Sequence, residues 1–439
     1  MPIIGSLASL SKNGFSASSV ATSITVWLSA TFLKANFDQT ILSGRKYNNQ
    51  IWVYGRNGSA VAPGYRSFAI QLNATTGLPS SYLVFANSTS QYVVGLAVDT
   101  SGNKNIQFVG GGGRLAKYDT SNTLVIAREF LGIGSSVANT LCMDNSNDLY
   151  WLTNSSATLS TVNKLTSSTY TVAWSKELSF STNDRFLFMD NAGNTYFVSY
   201  TTTGTVTTII KLDTSGNIVW QKSSSNMGTE RPFLAFDSSN NVYIMTSASP
   251  DVRIAKLDSS GTLLWSYNIT GGGTFRAITI NTDGNIVISS DNIGGSFIDV
   301  RTTILDSNGT VLYYTKFANS TSDYQQSCVS LISMAGATYV IGTLSDNNTW
   351  PHNFNVKVTN YNNVIYSTPY SYTLTKDNAT TQTFSSTLST QALTLPTRTS
   401  ITVTFTNTAY TTTNSGISTS STTFALGATV PFSYSTPLI

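Results

Sequence analysis

Lys211-Leu212-Asp213-Thr214-Ser215-Gly216-Asn217-Ile218-Val219-Trp220 recurs 45 residues later as Lys256-Leu257-Asp258-Ser259-Ser260-Gly261-Thr262-Leu263-Leu264-Trp265. Each copy reads as the end of one strand, a turn and the start of the next. The Asp bonds its own backbone two residues on, and the Gly three residues later supplies a positive φ, so the chain reverses tightly between antiparallel strands. Related copies start at Leu72, Tyr118, Leu165, Leu305 and Val358, and successive starts step by 46, 47, 47, 45, 48 and 53 residues.

A second pattern alternates with the first. It is clearest in Leu187-Phe188-Met189-Asp190-Asn191-Ala192-Gly193-Asn194-Thr195-Tyr196 and in Leu234-Ala235-Phe236-Asp237-Ser238-Ser239-Asn240-Asn241-Val242-Tyr243. Further copies lie at 96–103, 141–144 and 278–285, with weaker ones at 41–54 and 329–341. A period of roughly 40 to 50 residues is that of a four-stranded propeller blade. The expected fold is therefore all-β: a seven-bladed β-propeller over residues 40–373 with a Thr/Ser-rich β C-terminal extension. Alternation along strands such as 194–198 predicts one face of each blade packed on its neighbours.

The paired patterns resemble the β-propeller repeat family whose blades read Asp-x-x-Gly-Asn-x-Tyr and then Lys-Leu-Asp-x-x-Gly-x-x-x-Trp, and more loosely the blades of quinoprotein dehydrogenases. The resemblance covers most of residues 90–320 and implies architecture alone, because such propellers serve binding, scaffolding and catalysis alike.

The two ends differ from the ring. Residues 1–39 read as an N-terminal arm in which Ser23-Ile24-Thr25-Val26-Trp27 is a strand able to close the ring against the last blade, a role that residues 364–372 can fill as well. Beyond Asp377 the only charged side chain is Arg398, Ile401-Thr402-Val403-Thr404-Phe405 alternates, and 423–434 is strand-like. Residues 374–439 are too few to bury a sandwich of their own, so they read as an assembly or oligomerisation segment that packs on its own propeller or on other chains.

Charged residues are 10% of the 439, and aromatic residues are 11%. The first number puts solubility on hydroxyls and amides, and the second argues against disorder. The net charge of +3 is dispersed without a basic run, which argues against nucleic acid; no apolar stretch approaches a membrane span, and the N-terminus lacks a leader pattern. Synthesis and release in the cytoplasm are expected.

Catalytic chemistry is sparse. His352 is the only histidine, and Glu129, Glu177 and Glu230 are the only glutamates, so neither a Ser/His/Asp nor a Cys/His arrangement is expected. The Asp residues read as turn formers, and no metal or cofactor site is expected. Cys142 and Cys328 fall on innermost strands of the third and seventh blades and are expected unbridged.

Within a four-stranded meander the first and third turns share one face of the disc, and those are the tight Asp turns. The longer connections at 57–65, 86–91, 110–114, 153–161, 223–232, 270–274, 292–298, 318–326 and 345–354 gather on the other. Loops on a rigid scaffold carry contacts, so Arg231, Tyr324, Trp350 and His352 are the expected partner-contact residues. His352 also reads as a solvated loop histidine beside packed aromatics. By composition the chain resembles bacteriophage virion proteins such as tail, fibre or capsid-attached components. That resemblance implies a non-enzymatic structural protein located in the virion, whose partners are other virion proteins, copies of itself or a host-surface glycan or receptor. The alternative is an exported surface adhesin or carbohydrate-binding propeller.

Overall fold

A computed structural model describes residues 26–31, 38–47, 50–58, 66–74, 79–86, 92–109, 113–130, 141–154, 159–179, 184–201, 206–225, 227–228, 230–248, 251–269, 274–292, 299–319, 324–334, 337–346, 351–358, 366–375, 381–392, 398–400, 406–407 and 412–414. These residues form strands and turns in a β-propeller arrangement. Six sheets are each built on four consecutive antiparallel strands, beginning with Asp38–Tyr47 (blade I), Tyr92–Val98 (II), Leu141–Met143 (III), Asp184–Met189 (IV), Phe233–Phe236 (V) and Thr274–Ile280 (VI). A seventh sheet (VII) takes Tyr324–Met334, Ala337–Asp346 and Pro351–Val358 from one stretch and its outermost strand, Val26–Thr31, from the other end of the chain.

That composite sheet closes the ring. Val26 pairs with Val358 and Thr31 with Asn353, so the N-terminal strand covers an edge that the C-terminal stretch leaves open. On the inside, the first strand of VII lies beside those of VI and I, and Ser330 Oγ donates to the Gly44 carbonyl at 2.9 Å.

The core is a series of apolar layers between blades. Trp52, Tyr54 and Phe85 of I meet Phe108 and Val93 of II, while Tyr243 and Met245 of V meet Ile286 and Ile288 of VI. Both faces of a blade are buried, which corrects the expectation of one packed face. Tyr196, Phe197 and Val198 are consecutive and all fully buried, because residues pointing to opposite faces each meet a neighbouring blade.

The Asp turns are three-residue hairpin loops, each a type I turn followed by a left-handed residue. In blade V the Gly261 N–H donates to the Asp258 carbonyl at 3.0 Å, and Gly261 has φ 84°. Asn122, Asn147 and Asn240 take the same left-handed position in other turns, while Tyr170 is left-handed at the end of a four-residue loop in blade III, where its N–H donates to the Thr166 carbonyl at 2.8 Å.

The C-terminal chain runs back around the ring. Tyr366–Thr375 and Thr381–Ala392 form a hairpin whose second strand pairs with the outer strand of VI, so the first runs across residue 374. Arg398–Ser400, Thr406–Asn407 and Thr412–Asn414 then add to the outer strands of V, IV and III in that order. Every described strand of the tail thus pairs within its own chain. Residues 401–405 and 423–434, expected as strands, lie outside the described residues.

Candidate functional site

The repeat residues build a clasp between blades. In blade IV, Asp190 Oδ1 accepts the N–H groups of Ala192 and Asn194 at 3.0 and 2.9 Å, which holds the turn. Its Oδ2 accepts from Tyr196 Oη at 3.1 Å and lies 3.6 Å from Lys211 Nζ. The ammonium sits 5.3 Å from the Tyr196 ring centre, and Trp220 meets that ring edge-on at 5.7 Å. Lys211 Nζ and Trp220 Nε1 then both donate to the Ser259 carbonyl in the third turn of blade V, each at 3.1 Å. Blades III and V repeat the set with Asp144, Tyr150, Lys164 and Trp174, and with Asp237, Tyr243, Lys256 and Trp265.

These contacts decide what the Asp residues do. Burial works against the Asp237 carboxylate, but the Asn241 and Tyr243 side chains and the turn N–H groups outweigh it and hold its pKa below the ordinary value. Asp99 behaves alike, with Asn103 and Lys117 as its partners. Among the described residues no three His, Cys, Asp or Glu side chains gather as a metal site.

The inner strands surround a central channel holding a cavity of about 360 Å³. Blades VII and I line it with Ser330, Ser333, Ser43, Arg45 and Lys46; blades III, IV and V line it with Met143, Phe186, Phe188, Phe233 and Phe236. In a ring those blade sets face each other, so one wall is cationic and hydroxylic and the opposite wall aromatic. Burial opposes the Arg45 charge, yet the Tyr54, Tyr47 and Cys142 side chains beside it act the other way and leave its pKa raised. Burial pushes the pKa values of Tyr47, Tyr54 and Cys142 up, which keeps them neutral near pH 7. On the tight-turn side the channel opens into a mouth lined by Thr100, Asp144, Asn147 and Asp190, and it shares Lys46, Tyr47, Met143 and Met189 with the cavity.

The four expected contact residues are dispersed. Arg231 is exposed in the connection between blades IV and V, where the buried Met227 and the Thr246 hydroxyl on the Met227 carbonyl anchor the chain. Tyr324 opens the inner strand of blade VII opposite Asp346, and His352 pairs with Leu344 in the third strand of that blade. The expectation that both sit in loops is corrected: ladders extend into 318–326 and 345–354 because backbone pairing is indifferent to the polar side chains that suggested loops. Trp350 lies outside the described residues. Cys142 is a buried free thiol whose Sγ faces the Leu187 carbonyl at 3.5 Å. Cys328 is at a strand position in blade VII.

Arg45 and the blade edges that the tail strands cover were missed from sequence. The adjacent cations Arg45-Lys46 in a strand expected to be innermost were the available signal for the channel; nothing in a Thr-rich tail announces which edge it covers.

No family model and no curated protein matches the chain. Among solved structures it is similar to the BBS1N–ARL6DN complex structure (8% identity, 76% of this chain and 97% of that one, TM-score 0.48). A prolyl endopeptidase structure covers 80% of this chain and 54% of its own at 10% identity and TM-score 0.46. A protein of unknown function from Dyadobacter fermentans covers 76% and 99% at 10% identity and TM-score 0.41. Likenesses this distant say nothing of function.

Proposed function

We propose that this chain is a non-enzymatic scaffold of a virus particle, a tail, fibre or capsid-attached component, in which the propeller displays contacts and its sheet edges hold the assembly together. The observation that carries the scaffold reading is the series of C-terminal strands laid on the outer edges of blades VI, V, IV and III. Main-chain pairing with an exposed edge strand is a general mode of peptide recognition and needs no particular side chain. A Thr/Ser-rich segment with almost no charge suits it, and the same edges and segments can pair between copies. The placement in a particle rests on composition: 10% charged residues and a Thr/Ser-rich β tail.

Purification of the native assembly tests this. The expected outcome is co-sedimentation with particles and cross-links from Arg231 or residues 393–439 to other virion chains. A monodisperse secreted monomer that binds glycan would support the adhesin reading and overturn this one.

A further inference from the structure

We infer that the central channel binds a small organic anion with an apolar body, its charged end met by Arg45 and Lys46 and its body laid against Phe188 and Phe233. This goes beyond the scaffold reading and does not depend on it. The cavity of about 360 Å³ is at the small end of the range for ligand pockets, which suits a molecule the size of one ring and a short chain.

The channel is two-sided in the sense such a ligand requires. Both charged side chains among its described lining residues are cations, from adjacent positions of one strand in blade I. Tyr47, Tyr54 and Cys142 lie beside Arg45, whose planar guanidinium is a fixed cation able to meet a carboxylate with two hydrogen bonds. The Ser333 hydroxyl, among the lining residues from blade VII, is buried and has no hydrogen-bond partner among the described residues, a group that a ligand oxygen would satisfy. Across the channel, Phe188 and Phe233 are only partly covered by their own blades. The way in from the tight-turn mouth is not closed to anions by charge, because Lys164 and Lys211 stand 3.7 and 3.6 Å from its carboxylates Asp144 and Asp190.

Calorimetric titration of the full chain with 3-phenylpropionate, its neutral amide and acetate tests the inference. Saturable binding of 3-phenylpropionate is expected at micromolar to low-millimolar concentration, with the amide and acetate each at least tenfold weaker. R45Q should weaken binding about tenfold or more, the usual worth of a charge-assisted hydrogen bond. Should R45Q fail to fold, K46M at an exposed position decides, with a severalfold loss expected. Equal affinity for acid and amide, equal affinity for acetate, no binding at millimolar concentration, or wild-type binding by K46M and any folded R45Q would each overturn it.

Discussion

At the scale of single residues, the recurring Gly is explained by two independent demands. Gly261 has φ 84°, and a Cβ there would stand 3.0 Å from the Trp220 ring of the preceding blade. Gly284 has φ 78°, but a Cβ there would meet nothing within 4 Å. Ala at position 284 should therefore cost only the left-handed strain of about 1–2 kcal/mol. Ala at 261 should cost more, by about 1–3 kcal/mol of overpacking. Urea denaturation of the two variants measures the difference, and equal losses would show that the Trp contact carries no weight. The same clasp predicts that W220F, which removes the indole donor to Ser259, loses about 0.5–1.5 kcal/mol.

At the scale of elements, the outer strands form two groups. Those of blades III to VI carry tail strands; that of blade II, Leu124–Phe130, carries none among the described residues and exposes Leu124 at 44% and Val125 at 57%. Paired edges should exchange their amides more slowly than free ones. Truncation after Ala392 is expected to speed amide exchange roughly tenfold at 176–178, 222–223 and 267–269, the worth of one hydrogen bond, and to leave inner strands unchanged. Exchange followed by mass spectrometry checks it. Unaltered protection in the truncated chain would mean that these strands contribute nothing to the edges. The turn-bounded strands of the ring were legible in the sequence because Asp and Gly occupy positions whose φ and hydrogen bonds admit few alternatives. Which edges the tail strands would cover was not, since edge pairing uses backbone groups that every residue has.

Across the whole molecule, the Asp turns make stability depend on acid pH. Burial raises and the hydrogen bonds lower the pKa values of Asp99, Asp213 and Asp237, with the bonds prevailing; for Asp258 the Ser260 hydroxyl is the leading cause of the lowering. A depressed folded pKa contributes stability that is complete above the ordinary value of 3.8 and is lost as pH falls through the folded value. Thermal midpoints should therefore be flat down to about pH 4, where unfolded carboxylates begin to titrate, and fall below it. D237N should flatten that acid limb. Asn281 fills the Asp position in blade VI and accepts the Asp283 and Asn285 N–H groups at 3.0 and 2.8 Å, so an amide preserves the turn. A limb unchanged in D237N would show that acid acts elsewhere.

The sequence by itself determined the blade: the turn at each Asp, the positive φ at each Gly or Asn, the apolar strands between them and the period that makes them repeat. These are local demands, set by φ, by hydrogen bonds within five residues and by side-chain alternation, and a linear reading reaches them. Which residues of different blades meet was decided by the ring. Packing of neighbouring blades places Lys211 and Trp220 on the Ser259 carbonyl, and closure joins Val26–Thr31 to Pro351–Val358 and sets Arg45 across a channel from Phe233. The Lys contacts recur at close to one blade period, 48 residues from Lys211 to Ser259 and 51 from Lys256 to Ser307, whereas the closing strand and the channel walls join positions from distant parts of the chain, which the repeat does not record.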